Sequence, residues 1–256
     1  MNITSFPLTA HIPNPGAACP SSARIVASVV IVLAFIAAII GPAVAAAASP
    51  AAGDTFVYRV INGYNNEARG QIRYRIDKVD ADRIVVLVTT DNPALGPART
   101  EVYTKEGNWL RHPVINHDQP VEYEFAQAYP AYVLPLDSGN SWSMRVNATD
   151  PASGRRNSVR VDGAVLGSER ISTPAGVFDT IKVRRRVYAG DWDGFRFETN
   201  ITETDWYAPA LGRAARMESN SSYMHPERCG DQLSACTPIR GDWHVFELLE
   251  ASTAKP

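Results

Sequence analysis

The sequence predicts an all-β protein, a curved antiparallel sheet or half-barrel that is built from two similar meanders and preceded by a signal or anchor segment. Three observations support this prediction. After residue 48 no long stretch carries apolar residues at helical spacing. Many short segments instead alternate apolar and polar residues with a period of two, and Gly, Pro, Asn or Asp ends most of them. A glycine-led octet near residue 53 also recurs near residue 139.

The first 48 residues are typical of a targeting segment. Arg24 precedes an unbroken apolar or small stretch from 25 to 40, and Gly41-Pro42 then separates this stretch from a run of small residues ending at Ala48. Charge, apolar core and A-x-A cleavage site follow one another in this way in secretory signal peptides. An uncleaved anchor over 25–48 is the alternative, since about 20 apolar residues span a bilayer. Both interpretations place the rest of the chain outside the cytoplasm. A cleaved protein would be periplasmic or secreted, and an uncleaved one would be anchored in the inner membrane.

The composition limits what the remaining part, 49–256, can be. Apolar residues make up 45% of the chain and charged residues 20%, so a single β-rich domain of this length can bury a sizeable core. The 25 cationic and 27 anionic side chains give a net charge of −2. A nucleic-acid binder normally shows a marked cationic excess, so nucleic acid is excluded as a partner, and the membrane is expected as one only through the N-terminal segment.

The strands follow from local alternation. On the segment around residue 74, three apolar side chains face one way and charged side chains the other: Ile72, Tyr74 and Ile76. The continuous apolar run 84–88 predicts a strand buried on both faces. The segment 181–187 places three cations on one face, which we expect to be solvated, and Arg185 with two valines on the other.

An internal repeat gives the predicted halves. The octet Gly53–Val60 aligns with Gly139–Val146, and each copy consists of a glycine, a polar turn residue, a small hydroxyl residue, a large aromatic and then alternation into Arg-Val. The repeat predicts internal halves 53–126 and 137–250, and a chance match of eight positions is the alternative. We expect one domain, because neither half shows a second layer that would bury its own face.

Two motifs are expected to turn the chain. In Pro174-Ala175-Gly176 a fixed φ is followed by a permissive one, which predicts a turn that starts the next strand. In the run 206–212, Trp-Tyr-Ala-Pro-Ala-Leu-Gly, the proline cannot donate to a strand ladder, so we expect a strand to end there and the chain to return at Arg213.

These motifs also carry a resemblance. Together with the runs 136–142 and 167–170, the elements P-A-G-x-F at 174–178 and W-Y-x-P-x-L-G at 206–212 resemble secreted bacterial β-rich proteins of the domain-of-unknown-function type. That group is similar to the half-barrels of periplasmic lipoprotein carriers. The resemblance covers roughly a third of the chain. It implies a fold and a compartment outside the cytoplasm, and it supplies no catalytic residues.

The cysteines agree with export. Cys19 precedes the apolar core and so cannot carry a lipid anchor, whereas Cys229 and Cys236 form a pair for which an oxidising compartment predicts a disulfide. Zinc binding with His225 and His244 is the alternative, although the spacing matches no familiar zinc motif. We expect no metal and no cofactor.

The sequence holds few signs of catalysis. It contains no G-x-S-x-G elbow, no H-E-x-x-H and no dinucleotide fingerprint. The best candidate is a set of His112, His117 and Asp118, which the neighbouring prolines and asparagine place on a surface loop. An unrecognised hydrolase that uses one of these histidines is the minor alternative.

Aromatic residues give the functional hypothesis. We expect a non-enzymatic envelope protein whose concave sheet face binds an apolar ligand such as a lipid, or a lipoprotein-like partner. Five aromatic side chains would make the contacts: Trp142, Phe178, Phe195, Phe197 and Trp206. The alternative is a structural or adaptor protein that binds another envelope protein through a sheet edge or through a hairpin carrying Trp192.

Overall fold

The computed structural model describes residues 48–113, 122–190, 196–225 and 236–253, and residues 1–47 of the targeting segment fall outside these ranges. The described residues form twelve strands. The first six are β1 Thr55–Asn62, β2 Ala68–Val79, β3 Arg83–Thr90, β4 Arg99–Thr104, β5 Trp109–Pro113 and β6 Glu122–Tyr129. The last six are β7 Ser141–Thr149, β8 Arg156–Thr173, β9 Gly176–Gly190, β10 Phe197–Ala208, β11 Arg213–Met224 and β12 Ile239–Ser252. Among the described residues, no helix has the length and hydropathy needed to span a bilayer.

The sheet is a closed barrel and not the predicted open half-barrel. Each strand pairs antiparallel with its sequence neighbours, and β1 also pairs with β12. The closing register runs from Thr55 opposite Ser252 to Asn62 opposite His244. Closure supplies hydrogen-bond partners for the backbone groups that two edge strands would leave unpaired. The predicted concave face is therefore the barrel interior.

Few residues pair β6 with β7. Their register pairs Glu124 with Thr149 and Phe125 with Ala148, and it contains no further pair in the described part of the chain. The side chain of Met144 on β7 is 40% exposed, although its partner Val161 on β8 is fully buried. Residues 141–147 of β7 have no register partner on β6 among the described residues, and we call this part of β7 the β6–β7 seam.

The strands alternate between the barrel interior and its outside. On β2, Ile72, Tyr74 and Ile76 are buried and the intervening side chains are exposed, as the alternation predicted. The run 84–88 on β3 is not buried on both faces as expected: Ile84, Val86 and Val88 are buried, and the two residues between them are half-buried. A single-layer barrel encloses only one face of each strand, so the outer residues of β3 stay in partial contact with solvent.

Two core clusters fill the interior. The first core cluster draws on β5 to β10 and includes Trp109, Tyr129 and Val183. The second core cluster draws on β1, β2, β3 and β12 and includes Tyr74 and Phe246. Tyr103 of β4 packs against both clusters, so the interior is continuous at that point.

The two aligned octets start β1 and β7, and the same turn precedes both strands. Gly53 and Gly139 both have a positive φ, of 96° and 89°. The amide of Gly53 donates to the carbonyl of Ile76 at 2.8 Å, and the amide of Gly139 donates to that of Val165 at 2.9 Å. The limits of the two predicted halves stay a prediction.

Both predicted corners are present. Pro174 and Ala175 form the two-residue connection between paired Thr173 and Gly176, where β8 turns into β9. After β10 the chain makes a 3₁₀ turn over Pro209–Leu211, and Gly212 adopts the left-handed conformation at φ 61°. This second corner fixes where Arg213 begins β11.

Candidate functional site

A cavity of about 180 Å³ lies inside the barrel. Side chains from both core clusters line it, so it occupies the region where the clusters meet. Its apolar wall includes Phe56, Ile72, Ile84, Val86, Met217 and Phe246. Its polar wall includes Arg99, Tyr103, His112, Arg185, Glu203, Asp205 and Arg213. A concave, mostly apolar pocket with a few convergent polar groups is the usual form of a small-molecule site.

Arg185 organises one side of the cavity. It lies opposite Glu203 across the β9–β10 pair, and its side chain is 2% exposed. Its Nε donates to Glu203 at 2.8 Å, one terminal nitrogen lies 2.9 Å from Asp205, and the other donates to the carbonyl of Ala131 at 3.0 Å. Burial alone would lower the pKa of Arg185, but Asp205 and Glu203 outweigh burial and hold it well above its usual range. Every nitrogen of this guanidinium therefore has an acceptor.

Two tyrosines complete the Arg185 network. Tyr129 at the end of β6 donates its hydroxyl to Glu203 at 2.9 Å. Tyr132, in the connection between β6 and β7, donates its hydroxyl to Asp205 at 2.7 Å. Since both carboxylates accept from a tyrosine as well as from Arg185, their excess negative charge is well solvated by the protein.

Glu101 organises the opposite side, on β4. Its side chain is fully buried, and Arg99 donates to one carboxylate oxygen at 2.7 Å. The other oxygen accepts a short hydrogen bond from the hydroxyl of Tyr103 and lies 3.5 Å from Nε2 of His112. Residues 99, 101 and 103 share the inward face of β4 because side chains alternate along a strand. Both oxygens of Glu101 are thus occupied by protein groups.

Burial and neighbouring charges shift the pKa values of Glu101, His112 and Arg99 in opposite directions. Burial alone would raise the pKa of Glu101, but His112 and Arg99 outweigh burial and hold it below its ordinary value. Burial lowers the pKa of His112 more than Glu101 raises it. Burial also opposes the charge on Arg99, yet Glu101 and Tyr74 keep the pKa of Arg99 above its ordinary value. Glu101 and Arg99 are therefore an ion pair.

An aromatic stack joins the two sides. The ring centroid of Trp109 lies 3.8 Å from the ring centroid of His112 and 4.1 Å from that of Tyr129, and the rings of both pairs are nearly parallel. Tyr129 belongs to the Arg185 network and His112 contacts Glu101. The stack fixes the distance between the two charged groups, so the polar wall is a preorganised surface.

Arg213 belongs to neither hydrogen-bonded group, but it lies close enough to the Glu101 group for Tyr103 and Glu101 to help outweigh burial and raise its pKa. Its guanidinium carbon lies 4.0 Å from the ring centroid of Tyr74 and 5.3 Å from that of Phe56. Its Nε donates to the hydroxyl of Tyr58 at 3.0 Å. It forms no ion pair with a carboxylate of the described residues. Arg213 is therefore held by aromatic rings and one hydroxyl.

The aromatic residues singled out from the sequence lie elsewhere. Trp206 faces the outside of the barrel, where Lys182 covers its ring at 4.5 Å and its Nε1 donates to Glu169 at 2.9 Å. Trp142 donates to the carbonyl of Pro130 at 3.1 Å. Phe178 packs at the edge of the second core cluster, and Phe197 at the start of β10 is half-buried. None of these four lines the cavity, and their predicted contact with a ligand stays a prediction.

Other predicted residues fall partly outside the described ranges. Phe195, Trp192, Cys229, His117 and Asp118 lie there, so the Trp192 contact and the disulfide of Cys229 with Cys236 stay predictions. His112 is described, and it is not on a surface loop. It lies on β5 with its side chain 18% exposed, because the strand turns it towards Glu101. Within the described ranges, no group of three or more His, Cys, Asp or Glu side chains is placed to hold a metal.

Sequence reasoning missed most of the cavity residues. Arg185, Glu203 and Asp205 lie on the inward, mostly apolar face of β9 and β10. A charged residue at such a position was the sequence signal for an internal site. Arg99, Glu101 and Tyr103 carry the same signal on β4, with three polar side chains at i, i+2 and i+4. A charged residue in phase with the buried face of a strand indicates an internal partner, since an unpaired buried charge is costly.

Comparisons with known proteins give distant structural likeness. No protein-family model matches the chain, and no curated protein matches it. A "putative lipoprotein" from Parabacteroides distasonis is 16% identical over 79% of this chain and 97% of its own, with a TM-score of 0.49. A "putative exported protein with YmcC-like fold" from Bacteroides fragilis is 15% identical over 81% and 99%, at 0.47. The "hypothetical lipoprotein YmcC" from Escherichia coli is 9% identical over 78% and 85%, at 0.38. Similarity at this level does not establish what the chain binds.

Proposed function

We propose that this protein is an exported, non-enzymatic envelope protein that binds one small, mainly apolar ligand inside its barrel. The cavity of about 180 Å³ is the observation that carries the proposal. Its volume is below the roughly 300–1,000 Å³ of sites for drug-sized ligands, so the ligand is a small molecule or a single short chain. The ligand contacts are the apolar wall residues of the cavity in place of the aromatic set predicted from sequence.

Export is the second part of the proposal. The charged residue, apolar stretch and small residues that end at Ala48 support it. Protein purified from the envelope fraction of the host should have the intact mass of a chain whose first residue lies within or just after the run 43–48. A cytoplasmic protein that retains residue 1 would contradict export.

Binding is tested with 1-octanol as the probe and isothermal titration calorimetry as the measurement. We expect one equivalent to bind. Met217 lines the cavity, so Met217→Trp fills part of it and should weaken octanol binding at least about tenfold. Met144→Trp is the matched control, because Met144 is 40% exposed and does not line the cavity.

The outcomes of this experiment are distinct. Unchanged octanol binding in a folded Met217→Trp variant would place the ligand elsewhere, and no binding by the unmodified protein would overturn the proposal. If circular dichroism shows that Met217→Trp does not fold, Ile72→Phe supplies a smaller addition to the same wall. It should weaken octanol binding in the same direction.

An adaptor is the second candidate, and the β6–β7 seam favours it. An extended partner segment can add to a strand whose backbone lacks a neighbour. Closure pairs the two ends of the sheet, where the sequence-based alternative required an edge, and within the described ranges the β6–β7 seam still offers strand backbone without a partner on β6. A folded protein that binds no octanol would favour this candidate over the first.

A further inference from the structure

Arg99 leaves donors without an acceptor on the cavity wall. Its side chain is 5% exposed, and only its Nε is used, in the bond to Glu101. Nη1 is fully buried and has no hydrogen-bond partner. Nη2 makes no hydrogen bond with any residue that the structure describes. A buried guanidinium normally has an acceptor for its terminal nitrogens, since unmade hydrogen bonds of a charged group are expensive.

Arg213 repeats this arrangement across Tyr74. Only its Nε donates, to the hydroxyl of Tyr58, and its terminal nitrogens make no hydrogen bond with the described residues. Arg213 lies over the ring of Tyr74 and lines the same cavity as Arg99. The two arginines thus present unused N–H groups to one cavity.

The charges next to Arg99 and Arg213 favour a ligand group with a single negative charge at these two arginines. Arg99 is balanced by Glu101, whose oxygens are both occupied. Arg185, Glu203 and Asp205 form a separate group with a net charge of −1 on the other side. On their own side of the cavity, Arg99 and Arg213 with the single carboxylate of Glu101 leave one positive charge, so a group of charge −1 would neutralise this side, whereas a doubly charged phosphate would exceed it.

We propose that the ligand is a single-chain carboxylic acid whose carboxylate binds between Arg99 and Arg213 and whose hydrocarbon chain lies along the apolar wall. This inference rests on the proposed function and assigns its ligand class. Arginine suits the role because its planar fork of donors matches a carboxylate. The cavity volume favours a short or medium chain over a long acyl chain or a multi-chain lipid.

The test compares two probes that share one chain, sodium octanoate and 1-octanol, by isothermal titration calorimetry on the unmodified protein at pH 7. We expect octanoate to bind at least about tenfold more tightly than octanol, since only its carboxylate can pair with the arginines. Hexadecanoate should bind more weakly than octanoate, because its chain exceeds the cavity.

Arg213→Gln removes the cation that has no carboxylate partner. It should reduce the preference for octanoate over octanol at least about tenfold. Arg213→Lys should restore part of the preference. Arg73→Gln is the matched control, because Arg73 is exposed on the outer face of β2, and it should leave the preference intact.

Failure of this inference is distinguishable from failure of the proposed function. Octanol binding with no preference for octanoate, in the unmodified protein, would overturn the carboxylate site and leave the apolar site standing. An unchanged preference in folded Arg213→Gln would also overturn the assignment to Arg213. Absence of binding by both probes would overturn both proposals.

Discussion

Arg185 is the largest of the side chains that the fold buries almost completely. Taking a guanidinium out of water costs several kcal/mol, and good geometry with other hydrogen bonds has to offset this cost. Glu203, Asp205 and the carbonyl of Ala131 supply that geometry. The two tyrosine hydroxyls then satisfy the carboxylates, so removal of any one member leaves another group unpaired.

Arg185→Met therefore should destabilise the protein by about 3–5 kcal/mol, because Glu203 and Asp205 would remain buried without their counter-ion. Urea unfolding followed by circular dichroism measures this free energy. Arg184→Met is the matched control, since Arg184 is the exposed neighbour on the same strand, and it should change stability by less than about 0.5 kcal/mol. A loss below about 1 kcal/mol for Arg185→Met would contradict the structural role of the network.

Sequence alternation predicted the direction in which Arg185 points but not its partners. The pattern at 181–187 placed it with two valines, and β9 does turn these three residues inward. Its carboxylates lie on β10, and Tyr132 comes from the connection after β6. Local patterns carry no information about which strands or loops meet across an interior, so the site could not be assembled from sequence.

At the scale of elements, turn chemistry was the most reliable signal. The corners at Pro174-Ala175 and Pro209–Leu211 were predicted because proline and glycine restrict the backbone locally. The role of Trp142 was missed, because it depends on a pairing between strands. Trp142 lies opposite Gly163 on β8, and a Cβ at Gly163 would meet the indole ring at 2.1 Å. The ring fills the space that the glycine leaves free.

This packing makes Gly163→Ala a prediction about the β7–β8 pair. The indole cannot move away without loss of its hydrogen bond to Pro130, so the added methyl should cost about 1–3 kcal/mol. In a Trp142→Ala background the same Gly163→Ala change should cost far less, because the ring is gone. Urea unfolding of the four proteins in this double-mutant cycle gives the coupling energy. Additive effects would show that the ring and the glycine do not interact.

At the scale of the whole molecule, closure was the feature that sequence could not predict. Each strand pairs with its chain neighbour, which local signals imply, but the β1–β12 pair joins the two ends of the described domain. An open sheet and a closed barrel with the same strands have the same alternation. The difference lies in whether the two terminal strands meet, which is a property of accumulated twist and register.

Closure also mixes the two predicted halves in the core. In the first core cluster, Trp109 and Phe125 of the first half pack with Val146 and other residues of the second. In the second core cluster, Phe246 and Leu248 of β12 pack with residues of the first half. Each half on its own would therefore expose part of both clusters to water, at about 25 cal/mol for each Å² of apolar surface.

The fragments 49–136 and 137–256, made separately, should accordingly fail to fold, whereas 49–256 should unfold in one cooperative transition. Urea titrations followed by circular dichroism and by tryptophan fluorescence measure both, and coincident curves from the two probes indicate two-state unfolding of the whole domain. A cooperative transition in either fragment would contradict this prediction. It would mean that six strands bury enough surface alone, and that the β1–β12 pair is not needed for that half to be stable.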